Sequence, residues 1–265
     1  MIKKGTNDNS DFIISLTSYH KRLNSLHYVI YTLLKQKLKP KKIHLYLSSD
    51  DIKKTGGIPK SLLKYCSYGL KIIVKDENVK SYKKLIYAYN DIKKYDGINF
   101  IITADDDIFY PKHWSLQLLN KSIKDNVVSC FRGHNLQLVD GLCDYNLSMK
   151  INSSNSNPSY NLLPTGCSGI AYPVNSLNEY LLDYNFLKYS PDGDDIWFKA
   201  VTLSQKYKSA RVMDQNVHFP ILIQSLGHGL YSFNVMQSQN NIKITDTFNY
   251  FRDKGKNIYD LCFYN

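Results

Sequence analysis

No C-x-x-C pair occurs in this sequence, and its five cysteines, Cys66, Cys130, Cys143, Cys167 and Cys262, are odd in number and widely spread. Neither a zinc knuckle nor a disulfide framework is suggested, so reduced thiols are expected. No apolar run approaches the roughly 18 to 20 residues that a membrane-spanning helix needs, and residues 1–10 are polar, without the apolar stretch of a secretory leader. The expectation is a cytosolic chain. Arginine is scarce as well. Arg22, Arg132, Arg211 and Arg252 are the only four, so the net charge of +11 is almost wholly lysine. A lysine is a solvated point charge rather than a rigid fork, which favours general attraction to phosphates or anionic lipid over base-specific reading. With no basic–aromatic, zinc-knuckle or helix-turn-helix pattern, a nucleic-acid-binding protein is the weaker class despite 22 tyrosines.

What is present suffices for a core: 43% of the 265 residues are hydrophobic, which suits one large domain or two small ones. The charge is unevenly placed, with 20 basic against 8 acidic side chains up to residue 100 and 14 against 15 beyond it. A lysine-rich solvated face is the plain reading of that excess; attraction to an anionic partner is the functional one.

The first half alternates strand and helix signals. Phe12–Leu16 is a short buried strand, and Leu23, Leu26, Val29, Ile30, Leu33 and Leu34 then recur at helical spacing until Pro40. Ile43, Leu45 and Leu47 alternate as a strand, 60–66 reads as a short helix, and Leu70–Val74 as a third strand. Ser81 is expected to cap a helix running to about Lys94, Ile98–Thr103 is an apolar strand, and Pro111 is expected to open a helix with Trp114, Leu116 and Leu119. Such alternation with short links predicts an α/β fold with a mostly parallel central sheet and helices on both faces. Residues 132–163 are rich in Asn, Ser and Asp and read as loop, with 152–158 a candidate lid. Strand character resumes over 165–173, a helix over Asp194–Leu203, and a last strand is expected over 211–219. No linker divides the chain and no repeat appears, so one domain with an elaborated C-terminal portion is expected over 1–265.

Asp105, Asp106 and Asp107 follow the apolar strand directly. At the carboxyl end of a parallel strand they would point into the crevice where such sheets bind ligands. Three adjacent carboxylates repel unless a cation intervenes, and hard oxygens suit Mg²⁺ or Mn²⁺ with positions open for a diphosphate. An acidic helix start, favoured by the dipole, is the alternative.

The flanks narrow the choice. An apolar strand running into Asp-x-Asp and then Ile108-Phe-Tyr-Pro111 resembles the metal-binding corner of GT-A-fold glycosyltransferases. Four further segments resemble, in order, the bacterial members that build surface polysaccharide such as O-antigen, capsule or lipopolysaccharide. They are 14–22 with the first strand and nucleotide loop, 80–85 with a lysine-bearing helix start, 165–173 with a glycine-rich strand, and 191–197 with an acidic helix start. Together they span residues 12 to about 200.

The resemblance implies a GT-A-like domain with a nucleotide-binding half, 1–107, and an acceptor-binding half, 108–265. It implies transfer of a sugar from a nucleoside-diphosphate donor, UDP by family habit, to a hydroxyl of a lipid-linked or lipopolysaccharide glycan. Peripheral contact with the cytoplasmic face of the inner membrane is implied, and no nucleic acid. Thr17, Ser18, Tyr19 and Arg22 would meet the nucleotide, although an ST turn and helix N-cap explain the hydroxyls equally well. Lys83 and Lys84, at a helix start with free N–H groups, would neutralise the diphosphate, with Lys83 preferred. Asp107 would be the principal ligand of Mn²⁺ or Mg²⁺, Asp105 would touch ribose or metal, and Asp106 would lie near the sugar. Gly166 and Gly169 would let backbone approach substrate, or mark a bulge. For an inverting transfer Asp195 matches the base position and Asp194 would orient the acceptor, with helix capping the alternative. Trp197 is a sugar platform or core. His228, between two glycines, is a candidate third metal ligand or a loop residue. The segment Arg132-Gly-His134 resembles one on the acceptor side, without an assigned role. A Mg²⁺-dependent phosphohydrolase is the remaining alternative, but it would need a nucleophile or paired-metal set that the spacing does not offer.

Overall fold

The computed structural model describes residues 4–92, 97–151, 154–222 and 239–265. A seven-stranded sheet runs through it. Its strands are β1 (Phe12–Thr17), β2 (Ile43–Ser48), β3 (Leu70–Lys75), β4 (Phe100–Ala104), β5 (Val128–Cys130), β10 (Ile170–Pro173) and β11 (Ser209–Arg211), in the order β11-β5-β10-β4-β1-β2-β3. All pairings are parallel except those of β10, which runs against both β4 and β5. The fold is thus mixed α/β with a mostly parallel sheet, as the alternation of signals requires.

β1 and β4 are near-continuous apolar runs because both faces are covered, whereas the edge strand β3 carries Lys71 and Lys75 and is partly exposed. Ile13, Tyr46 and Ile101 face one core cluster, beneath α4 (Lys83–Ile92), α8 (Asp194–Ser204) and the C-terminal helices Gln239–Asp253 and Ile258–Tyr264. Phe12, Ile14 and Ile102, one residue out of phase, face the other cluster beneath α1 (Leu26–Leu34) and α5 (Trp114–Asp125). The period of two along each strand therefore decides which helix layer a residue meets.

Several boundaries differ from the expectation. The α4 region begins with a 3-10 turn, Lys80–Tyr82, and the buried Ser81 hydroxyl has no hydrogen-bond partner, so it caps nothing. Pro111 lies three residues ahead of α5, its carbonyl accepting from the Trp114 N–H. Of the expected strand over 165–173 only β10 is strand; 165–169 form a turn that joins it to β9 (Leu162–Pro164), which pairs with β6 (Gly133–Asn135). Only Arg211 of the expected strand 211–219 lies in β11. The stretch read as loop over 132–163 contains β6, the hairpin β7 (Gln137–Val139) and β8 (Leu142–Asp144), and α6 (Tyr145–Lys150).

The same edge of the sheet collects the ends that matter. The carboxyl ends of β1, β2 and β4, the turn before the antiparallel β10, and the N-termini of α4 and α8 all meet there.

Candidate active site

That edge encloses a cleft of about 670 Å³. Thr17, Ser18, Tyr19, Arg22, Lys83, Lys84, Asp105, Asp106, Asp107, Gly166, Asp194 and Asp195 all line it, so residues up to 178 positions apart in sequence converge. His228 lies outside the described residues. Gly169 is not among the lining residues: at φ +94°, a Cβ there would collide with the Trp114 ring, whose Nε1 donates to the Ser168 carbonyl at 2.8 Å. Trp197 is fully buried, its Nε1 donating to the Tyr180 carbonyl at 3.1 Å, and is core.

The hydroxyls after β1 are not helix caps. Thr17 Oγ1 donates to the Tyr46 carbonyl at 2.8 Å across the β1–β2 pair, and Ser18 Oγ donates to Asp106 Oδ2 at 2.5 Å. Ser25 stands at the α1 N-cap, but its hydroxyl donates back to the Arg22 carbonyl at 3.1 Å and accepts from no helix N–H. Arg22 reaches from the same loop, its Nη1 at 2.6 Å from Asp106 Oδ1 and 3.0 Å from Asp107 Oδ2, with Tyr19 beneath the guanidinium. Asp106, expected near the sugar, is buried and braces β4 to the β1 loop. Its neighbours stay more open. The Asp105 backbone N–H donates to the Tyr110 hydroxyl at 2.7 Å, leaving its carboxylate toward the cleft. Burial and then the charge of Asp105 push Asp107 up to about 6, against the pull of Arg22.

Lys84 is the hub of the opposite wall. Its Nζ lies 3.2 Å from Asp105 Oδ1 and 3.0 Å from Asp194 Oδ2. Burial alone would lower its pKa, but the carboxylates of Asp105, Asp194 and Asp195 outweigh it and hold the ammonium charged. Ser15 Oγ donates to the Lys84 carbonyl and fixes the start of α4 on β1. Lys83, preferred from the sequence, turns the other way, to Asn78 Oδ1 at 2.8 Å and Asp51 Oδ2 at 3.6 Å.

Neither acidic residue opening α8 is consumed by capping. Gly193 is the N-cap, with no side-chain bond, so both carboxylates are available to the cleft. The Gly166 N–H donates to Asp195 Oδ2 at 2.9 Å, while Asp195 Oδ1 is buried without a hydrogen-bond partner. Burial, then the neighbouring Asp194 charge, pushes Asp195 up to about 7 against the attraction of Lys84. A carboxylate so tuned is a base suited to neutral pH.

Sequence reasoning missed a second acidic centre. Asp51, just after β2, accepts from the His20 N–H at 3.1 Å and from Ser48 Oγ at 2.5 Å, and it holds Lys83. The signal existed, since Asp50 and Asp51 follow an apolar strand as Asp105 does, but Lys53 and Lys54 beside them read as solvated surface. Arg132, Thr165 and Asp192, which belong to the segments singled out above but were not named as site residues, also line the cleft, as does Asn240.

No protein-family model matches the chain, and no curated protein matches it in sequence. Solved structures do match in fold. S. aureus TarS, residues 1–349, aligns over 93% of this chain and 74% of its own at 13% identity, with a TM-score of 0.50. The mannosyltransferase PcManGT from Pyrobaculum calidifontis, solved in complex with GDP-Man and Mn²⁺, aligns over 97% of this chain and 70% of its own at 11% identity, with a TM-score of 0.54. The likeness at such identities is one of fold: the chain has the mixed α/β fold of these glycosyltransferases.

Proposed function

We propose that the chain is a metal-dependent glycosyltransferase of the GT-A type, moving a sugar from a nucleoside-diphosphate donor to an acceptor hydroxyl. The observation that carries this is the pairing, across one cleft, of the Asp105–Asp107 corner with a buried, base-like Asp195 held by the Gly166 N–H. The fold shared with a mannosyltransferase that binds GDP-Man and Mn²⁺ supports it. UDP is the nucleotide proposed. The donor is assigned to 1–107, through Thr17, Ser18, Tyr19 and Arg22, and the acceptor to 108–265, as two halves of one catalytic unit.

The residues fit a divalent cation. Among the described residues no three His, Cys, Asp or Glu side chains form a ready metal cage. Mg²⁺ and Mn²⁺ sites of nucleotide enzymes need only one or two carboxylates, the rest coming from phosphate and water. Asp107, raised by burial and by Asp105, and Asp105 itself are carboxylates whose mutual repulsion a dication would relieve. Asp105 and Asp107 would hold it, and it would supply Lewis-acid stabilisation of the departing nucleoside diphosphate.

The chain's own residues do the rest. Asp195 Oδ2 is fixed by Gly166, which leaves Oδ1 to take the proton of the acceptor hydroxyl. As that oxygen bonds to the sugar's anomeric carbon, the bond to the diphosphate breaks and its electron pair leaves with the phosphate. In-line displacement of this kind inverts the anomeric centre. Lys84 keeps Asp194 and Asp105 in place and sets a fixed positive charge beside the reacting atoms.

Among the described residues no helix is long and apolar enough to cross a membrane. The lysine excess before residue 100 supports a peripheral contact with the cytoplasmic face of the inner membrane and a lipid-linked or lipopolysaccharide acceptor.

Calorimetry with a nucleotide-sugar panel, with and without Mn²⁺, identifies the donor. Asp107→Ala should lose Mn²⁺-dependent donor binding, and transfer retained in metal-free buffer would overturn the metal assignment. Asp195→Asn should bind donor normally yet transfer about 10²- to 10⁴-fold more slowly. Because Asp195 is protonated below about 7, kcat should fall as pH drops through that value. Wild-type turnover by Asp195→Asn would exclude Asp195 as the base.

A further inference from the structure

The cations that line the cleft are, with one exception, paired with carboxylates. Lys54 meets Asp50 at 2.6 Å, Lys80 meets Asp192 at 2.7 Å, and His20 and Lys83 share Asp51. Arg22 holds Asp106 and Asp107, and Lys84 holds Asp105 and Asp194. Arg132 also lines the cleft, but among the described residues it forms no ion pair. Its Nη1 donates to Thr165 Oγ1 at 2.9 Å, and its Nε is buried with no hydrogen-bond partner.

The surroundings make this charge more conspicuous. His134, 7% exposed and two residues along, also has a buried ring nitrogen, Nε2, without a partner. Burial first, and then the positive charges of Arg132 and Arg211, lower His134 to about 4. Positive charge is therefore concentrated here without a matching carboxylate on Arg132. Burying guanidinium N–H groups without an acceptor is costly, and a guanidinium edge matches a phosphate or carboxylate with two parallel hydrogen bonds.

Two anions enter such a cleft, the donor diphosphate and any acidic group on the acceptor. The position favours the second. Arg132 is bonded to Thr165, and the next residue, Gly166, holds the carboxylate that would deprotonate the acceptor. The Asp105–Asp107 corner, where the diphosphate would lie, already has Arg22.

We propose that Arg132 recognises a negatively charged acceptor, taking a phosphate or carboxylate oxygen of the molecule whose hydroxyl Asp195 deprotonates. This rests on the transferase reading and adds to it the charge class of the acceptor. Arg132 is a specificity residue here, selecting which glycan presents its hydroxyl.

The test measures binding, so it does not depend on turnover. Free hexoses and N-acetylhexosamines are titrated against their 6-phosphates and uronates by calorimetry or NMR, with and without UDP and Mg²⁺, for the wild type, Arg132→Gln and Arg132→Lys. At least one acidic member should bind the wild type about tenfold more tightly than its neutral parent, and Arg132→Gln should erase the preference. Arg132→Lys, which keeps the charge but not the fork, should lose most of it and carries the test if the Gln variant does not fold. UDP affinity should be unchanged in both. The proposal is overturned if no acidic member is preferred, if Arg132→Gln keeps the preference, or if the variants lose UDP affinity instead, which would give Arg132 to the donor diphosphate. Failure of the wild type to bind any nucleotide counts against the transferase reading alone, because the sugar comparison is also made without UDP.

Discussion

A Cβ placed on Gly166 would stand 2.8 Å from Lys84 Nζ, 3.2 Å from Asp195 Oδ1 and 3.7 Å from Asp105 Oδ1. The hydrogen at that position is therefore what lets the ammonium and two carboxylates converge, and the glycine makes room for the protein's own charges. Gly169 differs. Its φ of +94° is one that L side chains avoid, and the Trp114 ring closes on the same space. The two substitutions should separate function from stability. Gly166→Ala should unfold within about 1 kcal/mol of the wild type, since the far end of Lys84 can swing aside, while transfer falls at least about tenfold as Asp195 is displaced. Gly169→Ala should lose about 3 kcal/mol or more, because strain and overpacking add. Urea denaturation and initial rates measure both, and a Gly166→Ala enzyme of normal rate would remove the significance given to that convergence.

Two helix starts, more than a hundred residues apart, are bolted together at the cleft. The buried Tyr82, in the turn before α4, donates from its hydroxyl to the Ser190 carbonyl at 2.6 Å, three residues ahead of the α8 N-cap. Lys80 and Asp192, both at positive φ, form an ion pair across the same junction. The bolt fixes Lys84 relative to Asp194 and Asp195. Tyr82→Phe should therefore cost about 1 to 2 kcal/mol by orphaning a buried carbonyl, and it should lower kcat more than the donor KM. A variant with unchanged kcat would show that α8 is positioned by its core face alone. β1 and β4 were legible in the sequence because a strand covered on both faces is an apolar run, and β2 because Ile43, Leu45 and Leu47 alternate. The turn over 165–169 was not, because it depends on Ser168 at φ +78° and on the Trp114 bond to its carbonyl, a contact made by a distant helix. The same reason left the Arg132-Gly-His134 segment without a role. Asp105, Asp106 and Asp107 could be read as a cluster because they are adjacent, whereas an arginine gains significance from the carboxylates it does not meet, which only the folded cleft reveals.

Charge is the property of the whole molecule that the fold makes specific. Residues 12–49 and 52–75 contain no Asp or Glu, so Lys35 at the C-cap of α1, Lys60 of α3 (Lys60–Leu63) and Lys71 and Lys75 of β3 stand on stretches without acids of their own. α1 and α3 pack on each other, and their outer sides expose Tyr28 at 49%, Tyr31 at 44% and Leu63 at 47%. The Lys35 ammonium lies over the Tyr31 ring and the Lys64 ammonium over Tyr65, so charges and rings share this face. Rings and lysines so arranged suit the headgroup level of an anionic bilayer, with each lysine near the surface contributing about 1 kcal/mol. Vesicles carrying about one-third anionic lipid should therefore sediment the protein at low salt, and neutral vesicles should not. Raising salt from about 50 to 300 mM should release it, because screening shortens from well above 10 Å to below it. Tyr28→Ala with Tyr31→Ala should weaken binding at low salt without altering its salt slope, since the rings contribute burial and the lysines contribute charge. Replacing Lys35, Lys60 and Lys64 by Gln should reduce the slope itself. Equal binding to neutral vesicles, or a slope untouched by the lysine substitutions, would take the contact away from this face and leave its lysines as a solvated surface.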